Sequence, residues 1–326
     1  MSVALGFDRA VPANGYRWWY IDALSEDGRR GLTIIAFIGS VFSPYYKWAR
    51  RRGPAEPSNH AAVNVALYGE GGHRWAMTER GRAAVARDAA RRAVGPSHLA
   101  WDGTALVVTL DEVTFPLPGR IRGQVRLDPT SLNAEAFTLD PGPDTGPDPG
   151  PDPGGAGTAL HQWRPIAPTA AVEVVLEKPA LCWRGHGYLD SNWGAVPLEQ
   201  SFVRWDWSRA PAAGGAAVLY EGRRRDGTDF SLALHFDRTG RAAAMAPPPI
   251  QTLGKTAIWR IPRATRADGA ALQATLEDTP FYARSVLKTR LLGEATTAVH
   301  ESLELDRFAL PIVQAMLPFR MPRRSG

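Results

Sequence analysis

Cysteine is all but missing from this chain. Cys182 stands alone among 326 residues, which excludes an internal disulfide and any cysteine-built metal cluster. Long apolar runs are missing too: the longest, "GLTIIAFIGSVF", falls well short of the roughly 20 residues that cross a bilayer as a helix. The start, "MSVALGFDRAVPANG", has no basic segment followed by an apolar one, so no secretory signal is expected. Phosphate-cradling glycine loops with Lys-Ser/Thr, G-x-S-x-G elbows and H-E-x-x-H pairs are absent, which removes the enzyme classes built on them. The net charge of +5 comes with no helix-turn-helix, finger or RNA-binding signature, so nucleic acid is not an expected partner. A cytoplasmic protein, soluble or peripheral to a membrane, is the expectation.

What the chain has is strands. Apolar residues make up 44% of it, enough for a real core. "YRWWYIDALS", "GLTIIAFIGS", "HAAVNVALYG" and "TALVVTLDEV" are rich in β-branched and aromatic residues and are punctuated by Gly, Asp and Pro. After residue 195 the rhythm continues through "SFVRWDW", "AAVLYEG", "DFSLALHF", "KTAIWRIP", "ALQATLED", "FYARSVLKTRLL" and "AVHESLEL", joined by hairpin links such as "RRDGTD". An all-β protein of two consecutive β-barrel or β-sandwich domains with few short helices follows. "TERGRAAVARDAARRAVG" is the one stretch whose alanines and arginines suit a short helix. The boundary is expected near residue 195, giving domains 1–195 and 196–326, the first carrying most of the chemistry and the second ending in a basic, apolar tail. The Pro-Gly-Asp tract at 140–158 can bury nothing and reads as a surface loop whose shortening leaves activity unchanged.

Residues able to do chemistry cluster between 161 and 207. In "CWRGHGYLDSNWG" an extended chain places His186, Tyr188 and Asp190 on one face, with Gly185, Gly187 and Leu189 behind them. "LHQWRP" puts His161 and Trp163 on one strand face, and Asn192, Trp193, Trp205 and Asp206 follow in sequence. Aromatic linings with one or two carboxyls suit a long apolar ligand, and ring faces stabilise positive charge. In such a pocket desolvation would keep Asp190 protonated and able to act as a general acid, tuned by Tyr188 or an imidazole. "LDSNWG" also contains the residues of a common turn, so a purely structural Asp190 stands beside that reading. His161, His186 and Asp190 could alternatively form a two-His, one-carboxylate metal site, ranked below the metal-free chemistry.

Taken together, "FDRAVPANGYRWWYIDALSEDG", "FIGSVFSPYY", "RWAMTERGR", "LHQWRPIAP" and "GHGYLDSNWG…FVRWDW" resemble the carotenoid 1,2-hydratases over nearly the whole chain, apart from the Pro-Gly-Asp tract. The resemblance implies two lipocalin-like β domains. It also implies cofactor-independent addition of water across the terminal C1–C2 double bond of acyclic carotenoids such as neurosporene and lycopene. The family's H-x-W and Y-x-D pairs match His161, Trp163, Tyr188 and Asp190, with the aspartate as proton donor and no metal. His186, Asn192, Trp193, Trp205 and Asp206 are added as substrate-binding candidates from their proximity in sequence. Protonation at C2 and water attack on a tertiary cation at C1 is the expected course. A carotenoid is dissolved in membrane, so the enzyme must dock there. The aromatic and basic stretch 45–52 and the tail after 307 are the expected contacts. A non-enzymatic carotenoid or lipid carrier, or a polyene cyclase or pericyclase on the same scaffold, is the rival reading.

Overall fold

The computed structural model describes residues 5–142, 160–212 and 214–324. Most of the Pro-Gly-Asp tract, from residue 143 on, lies outside the described residues. The chain divides into two compact units, 1–197 together with 315–326, and 198–314.

The first unit is built on strands β1 (Tyr16–Ser25), β2 (Arg30–Ile38), β3 (Ala61–Gly69), β4 (Arg74–Arg80), β5 (Val85–Arg87), β6 (Arg91–Val94), β7 (Ser97–Trp101), β8 (Leu106–Val113), β9 (Arg120–Pro129), β10 (Phe137–Asp140), β11 (His161–Lys178) and β12 (Leu181–Gly194). They form one sheet in the order β4-β3-β2-β1-β12-β11-β9-β8-β7-β6-β5, with β10 paired to the start of β11. The sheet curls on itself. Arg80 of β4 reaches Glu112 of β8 at 2.8 Å, and the Phe115 N–H donates to the Trp75 carbonyl at 3.0 Å.

Strand alternation fills the space so enclosed. β8, "LVVTLDEV", turns Leu106, Val108 and Leu110 inward, each fully buried. Each such side chain stabilises the fold by about 1.5–3 kcal/mol. Trp19, Ile21 and Ala23 of β1 and Leu189 of β12 join the same core. Behind the row His186, Tyr188, Asp190, the glycines permit close approach: a Cβ on Gly187 would stand 2.2 Å from Val172 Cγ2.

The stretch expected as a helix, 78–95, is instead the end of β4, a single 3-10 turn (Arg82–Ala84), β5 and β6. It has no apolar stripe at helical spacing, and as strands it sends Val94 into the core and Arg92 over the Trp19 ring at 5.0 Å. Conversely, the expected aromatic and basic loop contains a helix, α1 (Pro44–Arg50), capped by the Ser43 hydroxyl. Its Tyr46 is buried and donates to the Gly15 carbonyl at 2.7 Å.

The second unit opens with the single turn α2 (Leu198–Ser201). Its strands are β13 (Phe202–Ala212), β14 (Gly215–Arg224), β15 (Asp229–Asp237), β16 (Ala242–Ala244), β17 (Ile250–Leu253), β18 (Arg263–Arg266), β19 (Ala270–Asp278), β20 (Tyr282–Leu291) and β21 (Glu294–Glu304). Seven of them form the sheet β16-β15-β14-β13-β21-β20-β19, and β17 pairs with β18. The expected strand "KTAIWRIP" is irregular: Ile258 and Trp259 are exposed, and Asp278 accepts from both of their N–H groups. The chain then runs through α3 (Leu305–Ala309) and α4 (Pro311–Arg320). The tail, expected in the second domain, returns to the first unit as β22 (Arg323–Arg324), which pairs in parallel with β4. Arg323 is held there by the buried Glu79 carboxylate, and Arg320 lies over the Trp75 ring at 4.4 Å.

Candidate active site

On the face of β1, β11 and β12 that turns away from the apolar core, polar side chains replace the aliphatic ones. Asp190 sits at the centre of them, 4% exposed. Trp163 Nε1 donates to its Oδ2 at 2.9 Å, Tyr188 Oη donates to the same oxygen at 3.0 Å, and Asn192 Nδ2 donates to Oδ1 at 2.9 Å. The antiparallel register of β11 with β12 sets Trp163 opposite Asn192 and Pro165 opposite Asp190. A register shift follows between Pro165 and Ala167, at the first of the two prolines of "RPIAP". The Pro165 carbonyl is satisfied by the Asn133 amide at 3.1 Å.

His161 stands one step outside this group. It is fully buried, its Nδ1 is bonded to the Tyr16 hydroxyl, and its ring packs 5.9 Å from that of Trp18. Burial lowers its pKa to about 3, so the imidazole is neutral; the Asn192 side chain pulls weakly the other way. Asn192 therefore links His161 to Asp190. Tyr188 is pushed well above the ordinary phenol value, first by burial and then by the Asp190 charge, and stays protonated.

The four residues of the H-x-W and Y-x-D pairs thus meet in one buried network, with Asn192 as a fifth member. His186 and Trp193 do not join it. His186 shares the face of β12 but is exposed. Trp193 points to the opposite face, where the Arg17 guanidinium lies over its ring at 4.5 Å. Trp205 and Asp206 belong to the second unit: Trp205 packs on Phe202 and Tyr220, and Asp206 accepts from Ser302. Among the described residues no three His, Cys, Asp or Glu side chains gather into a set that could hold a metal ion.

Sequence reasoning missed the contribution of β1. Its register with β12 places Tyr20 opposite Asp190 and Asp22 opposite Tyr188, both buried. The signal was present as a second Tyr-x-Asp, "YID", inside a stretch read as a strand and as part of the resemblance but not for its acid.

Residues 34–326 match the family described as carotenoid hydratase CrtC. The chain belongs to that family. It is 55% identical to the acyclic carotenoid 1,2-hydratase of Thiocapsa roseopersicina over 98% of its own length and 76% of that protein's. The enzyme of the same name from Rubrivivax gelatinosus is 47% identical over the same shares. That of Cereibacter sphaeroides is 41% identical over 90% of this chain and 99% of its own. These relatives make the carotenoid hydratase an enzyme of the hydro-lyase type.

Among solved structures, an AttH-like protein of Nitrosomonas europaea shares the fold with a TM-score of 0.59 at 14% identity, over 93% of this chain and 97% of its own. Kievitone hydratase of Nectria haematococca does so with a TM-score of 0.52 at 9% identity, over 93% and 94%. At such identities the likeness concerns the lipocalin-like fold alone.

Proposed function

We propose that this protein adds water across the terminal C1–C2 double bond of acyclic carotenoids such as neurosporene and lycopene, with Asp190 as the proton donor and no cofactor. The buried Asp190, held by Trp163, Tyr188 and Asn192, is the observation that supports this reading.

Burial favours the neutral carboxyl, while the three donors favour the carboxylate. The two influences act at different moments. Before reaction the proton rides on Asp190. As it moves to C2, charge develops on Asp190, and the fixed N–H and O–H groups are already aimed at it. The π electrons of C1=C2 form the new C2–H bond and leave a tertiary cation at C1. The Trp163 and Tyr188 rings supply π faces beside that charge, worth about 2 kcal/mol when desolvated. Water then bonds to C1 through oxygen and releases a proton. His161, neutral and tied to Tyr16, orients Asn192 and through it Asp190.

All atoms added come from water and no electrons change hands, so this chemistry requires neither metal nor redox group. Lycopene dispersed in detergent and incubated in water enriched in heavy oxygen tests the reading. The labelled tertiary alcohol, formed with chelator present and lost in Asp190→Asn, is the expected result. Lycopene recovered unchanged but bound to the wild type would replace the hydratase with a carrier.

A membrane-dissolved substrate also calls for docking at a bilayer. No helix among the described residues is long and apolar enough to cross one. α4 exposes Ile312, Met316 and Phe319 at helical spacing, with Arg320 beside them and Trp48 exposed on α1. Apolar side chains fringed by arginine support a peripheral contact with anionic lipid.

A further inference from the structure

The chain carries two Tyr-x-Asp motifs, Tyr20-Ile21-Asp22 and Tyr188-Leu189-Asp190, and the antiparallel pairing of β1 with β12 lays them across one another. Tyr20 stands opposite Asp190 and Asp22 opposite Tyr188, so all four side chains share one face. Within each motif the tyrosine hydroxyl donates to its own aspartate, at 3.3 Å for Tyr20 and 3.0 Å for Tyr188. The two rings meet at 6.2 Å, nearly perpendicular. Asp22 is fully buried. Hydration needs one group that gives a proton and one that takes it, and here two buried carboxyls lie on adjacent strands.

We propose that Asp22 is the general base that takes the proton from the attacking water while Asp190 protonates the alkene. The proposal rests on the hydratase reading given above. Two arguments assign the roles this way round. Asp190 already receives Trp163, Tyr188 and Asn192, so its oxygens are largely engaged and suit a group that ends the step as an anion. Asp22 is diagonal to Asp190 across the ladder, which sets their backbones about 7–8 Å apart. The two carboxyls thus share one face in diagonal rather than directly opposed positions, as an acid and a distinct base require.

The step starts from the state in which Asp190 holds a proton and Asp22 does not. In the reaction Asp190 gives that proton to C2, water oxygen bonds to C1, and the oxygen's extra proton passes to Asp22. The catalyst is then reversed: Asp22 neutral, Asp190 charged. Tyr188 lies opposite Asp22 in the strand pairing and donates to Asp190, and burial above all keeps it protonated. In the proposed step the pair resets through this hydroxyl, which hands its proton to Asp190 as the proton of Asp22 is delivered to it, with no net change in its own state.

The test compares wild type, Asp22→Asn, Tyr20→Phe and Asp190→Asn with lycopene in detergent, in heavy water and in water enriched in heavy oxygen. Loss of the base is expected to lower alcohol formation about 100-fold or more. In Asp22→Asn the cation still forms but collapses back, so recovered lycopene gains deuterium at C2 faster than alcohol appears. Asp190→Asn gives neither alcohol nor deuterium. Folded Asp22→Asn, checked by thermal melting, that hydrates like wild type or loses both readouts together would overturn the proposal. Should Asp22→Asn not fold, Tyr20→Phe decides through the ratio of deuterium uptake to alcohol: a raised ratio supports the base role and an unchanged one ends it. A wild type that makes no alcohol at all defeats the hydratase reading instead.

Discussion

The buried carboxyl clusters of the first unit follow two opposite plans. Glu79 on β4 is fully buried and meets His60 at 2.9 Å and the Arg323 guanidinium. Glu112 is treated alike, with Arg80 at 2.8 Å and Ser97 at 2.7 Å. A cation answers the charge of such an acid, and what the pairing stabilises is structure: Glu79 fastens β22 to β4. Asp190 instead receives the N–H and O–H groups of Trp163, Tyr188 and Asn192, which carry no formal charge. Neutral donors tolerate either protonation state. A buried acid that must lose and regain a proton needs the second plan.

The sharpest way to break the comparison is to make the same isosteric change in both clusters. Asp190→Asn is expected to lower hydration about 10³-fold, within the range for loss of a general acid, with melting little changed. Glu79→Gln should do the reverse. Removing one partner of a buried ion pair costs about 3–5 kcal/mol, but the Arg323 side chain keeps 27% of its surface in water. A loss of about 2–3 kcal/mol is therefore expected, or about 5–10 °C in melting temperature. Turnover per folded molecule should stay at the wild-type level. A stable but inactive Glu79→Gln would erase the distinction between the two plans.

Trp163→Phe sharpens it further, since it keeps an aromatic face, though a smaller one, and removes the donor to Asp190 Oδ2. A hydrogen bond to a charged group is worth about 1.5–3 kcal/mol, and it strengthens as charge develops on Asp190. Turnover should fall about 10- to 100-fold while the Michaelis constant moves much less. An effect confined to the Michaelis constant would make Trp163 a substrate contact rather than a stabiliser of the departing proton's charge.

How much of this was legible in the residues depended on the range of the interaction. Tyr188 and Asp190 lie two apart on one strand, so alternation alone put them side by side, and their bond at 3.0 Å follows from that spacing. The same rule placed His186 on the right face yet could not show that it emerges into solvent. Trp193 was counted by nearness in sequence, but one step along a strand is the opposite face, and it stacks on Arg17. Trp205 lies beyond the change of unit, which falls between residues 197 and 198. Asp22 was invisible because pairing of β1 with β12 is a long-range choice of sheet order, which no local pattern encodes. The arginine-rich stretch 78–95 misled through composition: helix-favouring residues were overridden by burial of Val94 and Arg92.

The smallest expected effect lies in how the neutral cluster answers acid. Burial holds the His161 pKa at about 3, against 6.5 for an exposed imidazole. Above pH 6.5 neither the folded nor the unfolded chain protonates this ring, so it contributes no pH dependence. As pH falls from 6.5 toward 3, the unfolded chain takes up a proton that the fold refuses, and stability falls with it. The slope from this one group is at most about 1.4 kcal/mol per pH unit, and it flattens below the folded value. His161→Gln keeps a polar side chain there but cannot titrate. Urea midpoints measured from about pH 4 to 6.5 should decline less steeply in that variant than in wild type, by up to the slope of one proton. Equal slopes would mean that the wild-type imidazole accepts its proton inside the fold, and that a cation does stand beside Asn192 and Asp190 after all.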